Sequence, residues 1–298
     1  MSRPRVVVLA GPTAAGKSAA GLAVCEAIGG ILLSADAMQV YRGMDIGTAS
    51  PDSEERARVP HLGIDVADPT DRFSAADFIA LGDEALATGR PVVVVGGTAL
   101  YIRALVRGLA PTPDVQPEIR ARIEAIDDLH AALRAVDPVL AARLHANDRK
   151  RLVRGLEVFE QTGRRLSELQ AEHEATADRV EVFGLWLDRA DLDARIDARV
   201  GQMVEAGYLD EVRALLDAGV PRSARPMQTL GYRHLCDHLL DGLDLDEALR
   251  RTRRDTRRFA RKQRTWRRHL ALPEVRCEHV QAALSTARRA FDAATLSP

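Results

Sequence analysis

The chain has 298 residues, 46% of them hydrophobic and 29% charged, with a formal net charge of -1. These are ordinary proportions for a soluble globular protein with enough chain for one large domain or two modest ones. No apolar run approaches the roughly 18 residues that a membrane-spanning helix needs.

Cys25, Cys236 and Cys277 are far apart and form no C-x-x-C spacing. This argues against a structural zinc or a disulfide framework and fits a reducing compartment. The run after Met1-Ser2-Arg3-Pro4-Arg5 is too short for a signal peptide, so no membrane partner and a cytoplasmic location are expected.

In chain order, Arg5–Ala10 (RVVVLA) is β-branched and apolar, and it runs into Gly11-Pro12-Thr13-Ala14-Ala15-Gly16-Lys17-Ser18. The octet fits G-x-x-x-x-G-K-[ST], and Lys17–Ile28 then carries apolar residues at helical spacing. Strand, glycine loop and helix in succession form the context in which this motif cradles phosphates: backbone N–H groups converge on the anion, Lys17 adds a charge and the Ser18 hydroxyl is a magnesium ligand.

Gly30–Ala35 and Pro91–Gly97 read as further strands, with a helix over Ala75–Ala87 between them. All are apolar throughout, which predicts a parallel sheet with helices on both faces. From Pro117 to Ala177 the pattern is helical, and Val180–Leu187 (VEVFGLWL) returns to strand before the chain finishes in helices. The expected architecture is an α/β core of the P-loop NTPase-like kind, residues 1–115 and 180–298, interrupted by an all-helical insertion at 116–179.

Three more stretches carry chemistry. Asp36 ends a predicted parallel strand, at the edge where open α/β sheets bind ligands. It either caps a turn or serves as a general base. Thr98, after Gly96-Gly97, either caps the following helix or offers its hydroxyl to the same crevice. Arg250–Arg268 holds ten arginines and one lysine in nineteen residues against the single acid Asp255.

On a helix, Arg250, Arg254, Arg257, Arg261, Arg264 and Arg268 form one stripe, opposite a packing face of Leu249, Thr252, Thr256, Phe259, Gln263, Trp266 and Leu270. A basic face with so few acids points to a polyphosphate partner, and Phe259 or Trp266 can add stacking. Four more cations lie within Arg149–Arg154. His61, His130, His145, His173, His234, His238, His269 and His279 show no metal-binding spacing, so core or surface roles are expected.

The segments GPTAAGKS, SADAMQVYRGMDIGTASP, FSAADF, VGGTALYIRAL, NDRKRLVRGLEVFEQTGRRLSE, QTLGYRHL and TRRFARKQRTW, in this order, resemble the tRNA dimethylallyltransferases, also called tRNA isopentenyltransferases. The resemblance spans Gly11 to about Trp266. It implies transfer of a dimethylallyl group from dimethylallyl diphosphate to the exocyclic amine of the adenosine 3′-adjacent to the anticodon. The loop Gly11–Ser18 would hold the diphosphate with magnesium on Ser18, Asp36 would act as base, and Thr98 would lie near the reacting groups. Expected tRNA contacts are Asp36, Ala37, Met38 and Gln39; Lys150, Arg151, Leu152, Val153 and Arg154; Gln228, Thr229, Leu230, Gly231, Tyr232 and Arg233; and Arg261, Lys262, Gln263 and Trp266. The helical insertion would clasp the anticodon stem-loop, and a monomer is expected.

Ala15 stands where the family usually has Ser, and only His61 remains of a frequent histidine pair. A C-terminal zinc module, as in eukaryotic relatives, is missing from the pattern, which points to the bacterial type. Two other readings compete: an ATP-dependent small-molecule kinase, which leaves the arginine stripe without purpose, and a nucleotide-gated RNA binder, which leaves Asp36 without one.

Overall fold

The computed structural model describes residues 4–270 and 274–295. From β1 (Arg5–Ala10) the chain passes through the glycine loop into α1 (Lys17–Ala27), β2 (Ile31–Ala35), α2 (Ser53–Arg58), β3 (His61–Leu62), α3 (Ala75–Ala87), β4 (Val92–Gly96) and α4 (Ala99–Arg107). Five helices follow: α5 (Pro117–Glu124), α6 (Leu129–Val136), α7 (Pro138–Arg143), α8 (Arg149–Thr162) and α9 (Leu166–Glu174). The chain then forms β5 (Glu181–Leu187), α10 (Leu192–Glu205), α11 (Tyr208–Asp217), α12 (Tyr232–Asp241), α13 (Leu245–Leu270), β6 (Glu274–Cys277) and α14 (Val280–Thr295).

The six strands make one parallel sheet in the order β3-β2-β4-β1-β5-β6. Val6–Ala10, Ile31–Ala35 and Val92–Gly96 are buried along their whole lengths, as a sheet covered on both faces requires. Because β1 is central and all strands run the same way, the glycine loop, the end of β2 and the end of β4 emerge side by side at the C-terminal edge.

The two short edge strands were not among the expected elements. β3 pairs through two residues, and β6 (EVRC) is largely polar, so neither has the long apolar run that marks the inner strands. The expected helical finish is interrupted by β6, after which α14 follows.

The described residues divide into two compact units: one up to Val106 and again from Arg179, the other Arg107–Asp178. The first is the α/β core. Its chain leaves and returns at adjacent points, because the Arg179 N–H donates to the Val106 carbonyl at 2.7 Å.

The second unit is all-helical and has its own apolar centre, including Leu133, Leu152, Val153 and Leu169. Two acids are buried in it. Glu157 is held by Arg120 at 2.5 and 2.9 Å and by Arg154 at 3.4 Å, while Asp137 accepts from the Leu140 N–H and from both the N–H and the hydroxyl of Ser167. Every carboxyl oxygen of the two is therefore hydrogen-bonded, as buried polar groups require.

Candidate functional site

The strand-to-loop turn is forced by packing. Gly11 has φ +153°, and a Cβ there would stand 2.1 Å from the Leu187 carbonyl oxygen of β5. Gly16 (φ +95°) and Ala14 (φ +64°) complete the curl, and the Arg195 Nε donates to the Ala14 carbonyl at 2.8 Å. The first N–H groups of α1, from Lys17 onward, find no helix carbonyl and are available to an anion. Not every loop amide is free: Ala15 N–H bonds the Pro12 carbonyl at 3.3 Å, and Thr13 N–H donates to Gln263 Oε1 at 2.8 Å. Ala15 is buried, so a hydroxyl at this position would not line the opening.

Asp36 follows the last residue of β2, its Oδ1 accepting from the Met38 N–H at 2.9 Å. It thus does cap a turn, and it also lines the cavity in front of the loop. Thr98 starts α4 through its carbonyl, which accepts from Tyr101 and Ile102, while its hydroxyl accepts from the Ala37 N–H at 3.1 Å. Its own N–H donates to the Ala35 carbonyl at 3.1 Å. Thr98 therefore ties the end of β4 to the turn that carries Asp36. Gly96 permits this closeness, since a Cβ there would lie 2.2 Å from the Ala35 oxygen.

The cavity is walled by the loop residues Thr13, Lys17 and Ser18, by Asp36 and Gln39, and by a polar-to-apolar surround that includes Thr48, His61 and Phe259. One wall came from no local sequence signal. Arg199, on α10, reaches the cavity with Nη1 3.5 Å from Thr13 Oγ1 and Nη2 3.3 Å from the Thr48 carbonyl oxygen. Both partners are neutral.

Lys17 is in the same position, its Nζ donating to the Pro12 carbonyl at 2.9 Å. Burial pushes Lys17 down to about 8, against the pull of Asp36 and with help from the Arg199 charge. Burial also lowers Arg199, opposed by Asp36. Two desolvated cations therefore face one carboxylate, an arrangement that gains from a polyanion.

His61 keeps its Nδ1 2.8 Å from the Val59 carbonyl oxygen, and burial lowers its pKa. A neutral ring that donates from Nδ1 leaves Nε2 as an acceptor.

The other expected contacts fall into groups. Ala37 and Met38 are half-buried beside Asp36. Gln39 is buried, holding the Thr48 and Ala49 carbonyls through Nε2 while its Oε1 accepts from Ser34 Oγ. Gln263 is also buried, bridging Thr13 to the Gly97 carbonyl, so its amide braces the loop. Leu152, Val153 and Tyr232 have buried side chains, and Gly231 is buried beside Tyr208. Lys150, Arg151 and Gln228 are exposed, and Thr229, Leu230 and Arg233 partly so. Arg154 is spent on Glu157, Thr112 and the Pro113 carbonyl.

The basic helix α13 requires a correction. Its packing face is as expected, with Leu249, Thr252, Gln263 and Leu270 buried and Phe259 edge-on to Trp266 at 5.8 Å. The stripe, however, is not short of acids. Arg250 pairs with Glu247, Arg254 with Asp255, Arg257 with Asp197 of α10, and Arg264 with Asp188 after β5. The last two partners are distant in sequence, where helical spacing could not reveal them. Arg261 and Lys262 are exposed and have no ion pair among the described residues. The side chain of Arg268 lies outside the described residues.

His234 and His238 bond Asp255 Oδ2 and the Leu243 carbonyl, at 3.1 and 2.6 Å. No group of three or more His, Cys, Asp or Glu among the described residues could hold a metal ion. Nor is any described helix long and apolar enough to cross a membrane.

A parallel sheet feeding a glycine loop, with a carboxylate on the neighbouring strand and two desolvated cations across from it, defines a P-loop-type α/β core with an anion-binding cavity. The match to the IPP transferase model covers residues 39–270, and the chain belongs to that family. A protein of Geobacter metallireducens described as "tRNA dimethylallyltransferase" is 46% identical over 276 residues, 89% of each chain. One of Syntrophotalea carbinolica, "tRNA dimethylallyltransferase 1", is 49% identical over 89% of this chain and 88% of its own.

Among solved structures, the tRNA isopentenylpyrophosphate transferase of Bacillus halodurans matches with a TM-score of 0.70 and 32% identity, over 97% of this chain and 96% of that one. A eukaryotic dimethylallyltransferase acting on tRNA shares the fold at a TM-score of 0.85, over 99% of this chain and 80% of that one, with 24% identity.

Proposed function

We propose that this chain transfers the dimethylallyl group of dimethylallyl diphosphate to the N6 amine of the adenosine 3′-adjacent to the anticodon of tRNA. The observation that carries this reading is the convergence, in one cavity, of the phosphate loop, Lys17, Arg199 and Asp36. The family relation supplies the substrate class, since the named relatives are tRNA dimethylallyltransferases.

The roles follow from chemistry. The adenine amine is a poor nucleophile, because its lone pair is delocalised into the ring. Asp36, at the end of β2, takes the proton that the amine loses as the new C–N bond forms. The C–O bond to diphosphate breaks in the same step, and the leaving charge is met by Lys17, Arg199 and the N–H groups at the start of α1.

Thr98 acts here by holding the Ala37 N–H and so the turn beneath Asp36. The donor set fits magnesium rather than a softer ion: Ser18 offers a hydroxyl oxygen at the loop, the position from which a P-loop Ser or Thr holds magnesium together with substrate phosphates. When bound, magnesium would neutralise charge on the leaving diphosphate.

Outside the cavity, Lys150 and Arg151 of the helical unit and Arg261 and Lys262 of α13 supply the exposed cations for the RNA backbone. The target base must leave its stack to enter a cavity of this kind. The reaction is a single-site chemistry and is read as that of a cytoplasmic monomer.

The test is a nucleoside digest of unmodified tRNA incubated with the protein, dimethylallyl diphosphate and magnesium. N6-(dimethylallyl)adenosine is expected. Its absence, together with ATP turnover stimulated by a small hydroxylated metabolite, would establish a kinase instead.

A further inference from the structure

The segment after Tyr41 carries Thr48 and Ala49 into the cavity wall, and it is pinned from behind by one carboxylate. Glu211 Oε2 accepts from the N–H groups of Asp45 at 2.8 Å and Ile46 at 2.6 Å. Its Oε1 accepts from the Gly47 N–H at 3.0 Å and from the Tyr232 hydroxyl at 2.7 Å. Four donors on one carboxylate hold three consecutive backbone units in a fixed curve.

Packing reinforces the curve. A Cβ at Gly47 would stand 2.2 Å from the Tyr208 ring and 2.6 Å from that of Tyr232, and the two rings meet edge-on at 5.1 Å. From the front, Gln39 Nε2 bonds the Thr48 and Ala49 carbonyls. The Thr48 carbonyl also accepts from the Arg199 guanidinium, whose other end meets Thr13 Oγ1.

We infer that Glu211, steadied by Tyr232, is a positioning residue that sets where Arg199 places its charge in the cavity. It touches no reacting atom. It acts through the 45–47 backbone and the Thr48 carbonyl. This gives Tyr232 of the QTLGYRHL motif a role that its buried side chain can perform: it donates to Glu211 from within the core. The inference rests on the reading of Arg199 as a ligand of the diphosphate.

A neutral amide in place of Glu211 keeps one acceptor oxygen but turns an NH2 group toward donors, so the curve loosens and Arg199 loses its fixed partner. The experiment uses the full chain, magnesium and inorganic diphosphate as probe, and measures Kd by calorimetry. Glu211→Gln should weaken binding by about tenfold to a hundredfold, the fold-change that corresponds to one well-placed hydrogen bond to a charged group. Tyr232→Phe should weaken it in the same direction by less.

The decisive comparison is made in an Arg199→Gln background, where adding Glu211→Gln should weaken diphosphate no further. A residue that merely stabilises the fold would lower Tm in both backgrounds and weaken binding by the same factor in both; that result overturns the inference, as does a Kd for Glu211→Gln within twofold of the parent. If Glu211→Gln does not fold, Tyr232→Phe with and without Arg199→Gln decides by the same criterion. Because inorganic diphosphate carries no prenyl group, failure here leaves the prenyl-transfer reading standing, and failure of the nucleoside digest leaves this cycle interpretable.

Discussion

Two sets of cations in this molecule differ less in number than in company. Arg250, Arg254, Arg257 and Arg264 lie on a helix that looks overwhelmingly basic, yet each is paired with a carboxylate of the same protein. Among the described residues, Lys17 and Arg199, in the cavity, have only neutral oxygens within hydrogen-bond reach, and desolvation depresses both. Charge density along a sequence therefore does not locate an anion site. Charge that the fold has desolvated and left without a hydrogen-bonded carboxylate does.

The largest expected effect comes from the single anion set against the interior pair. Asp36→Asn keeps an oxygen for the Met38 N–H but cannot take a proton, so kcat should fall by about 10²- to 10⁴-fold, the usual contribution of a general base. Diphosphate should bind no more weakly, because a negative charge facing the ligand has been removed. A kcat within threefold of the parent would take the base role away from Asp36.

An intermediate effect follows from the depressed lysine. Below its pKa of about 8, Lys17 is charged both free and in complex, so its titration adds no pH dependence to the affinity for dimethylallyl diphosphate. Above that value Lys17 of the free protein loses its proton, whereas in the complex the bound anion keeps Lys17 protonated. Affinity should then fall with rising pH, by up to about tenfold per unit, until the pKa of the complex is reached. Calorimetry between about pH 7 and pH 9.5 reads this directly; a flat or rising affinity would mean that Lys17 does not face the diphosphate.

The smallest effect sharpens the other side of the comparison. Replacing Arg261 and Lys262, which have no ion pair among the described residues, by Gln should lower the slope of log K for tRNA against log salt by about 0.7 to 0.9 for each phosphate no longer neutralised. Replacing the paired Arg257 and Arg264 should leave the slope nearly unchanged. Equal changes in both pairs would show that the internal ion pairs open when RNA binds.

Much of the core was legible because its signals are local. The runs at β1, β2, β4 and β5 are long and apolar, and the glycine octet marks its own turn. β3 and β6 were not, because two or four residues with one neighbour need no apolar run. Within the site, Lys17, Ser18 and Asp36 announce themselves by their place after strands.

Arg199, Glu211 and the bracing role of Gln263 do not, since each acts on a segment more than 150 residues earlier in the chain. Two of the acids that neutralise α13 were hidden for the same reason: Asp197 and Asp188 belong to other parts of the chain. Periodicity shows which residues share a face, but not what faces them.

The most direct test of what the interior cations hold is equilibrium binding of dimethylallyl diphosphate and of ATP, each with magnesium, to the parent protein and to Lys17→Ala. Dimethylallyl diphosphate should bind the parent, lose affinity in Lys17→Ala and resist displacement by an equal concentration of ATP. Tight ATP binding that dimethylallyl diphosphate cannot displace would contradict the assignment of this loop to a prenyl donor.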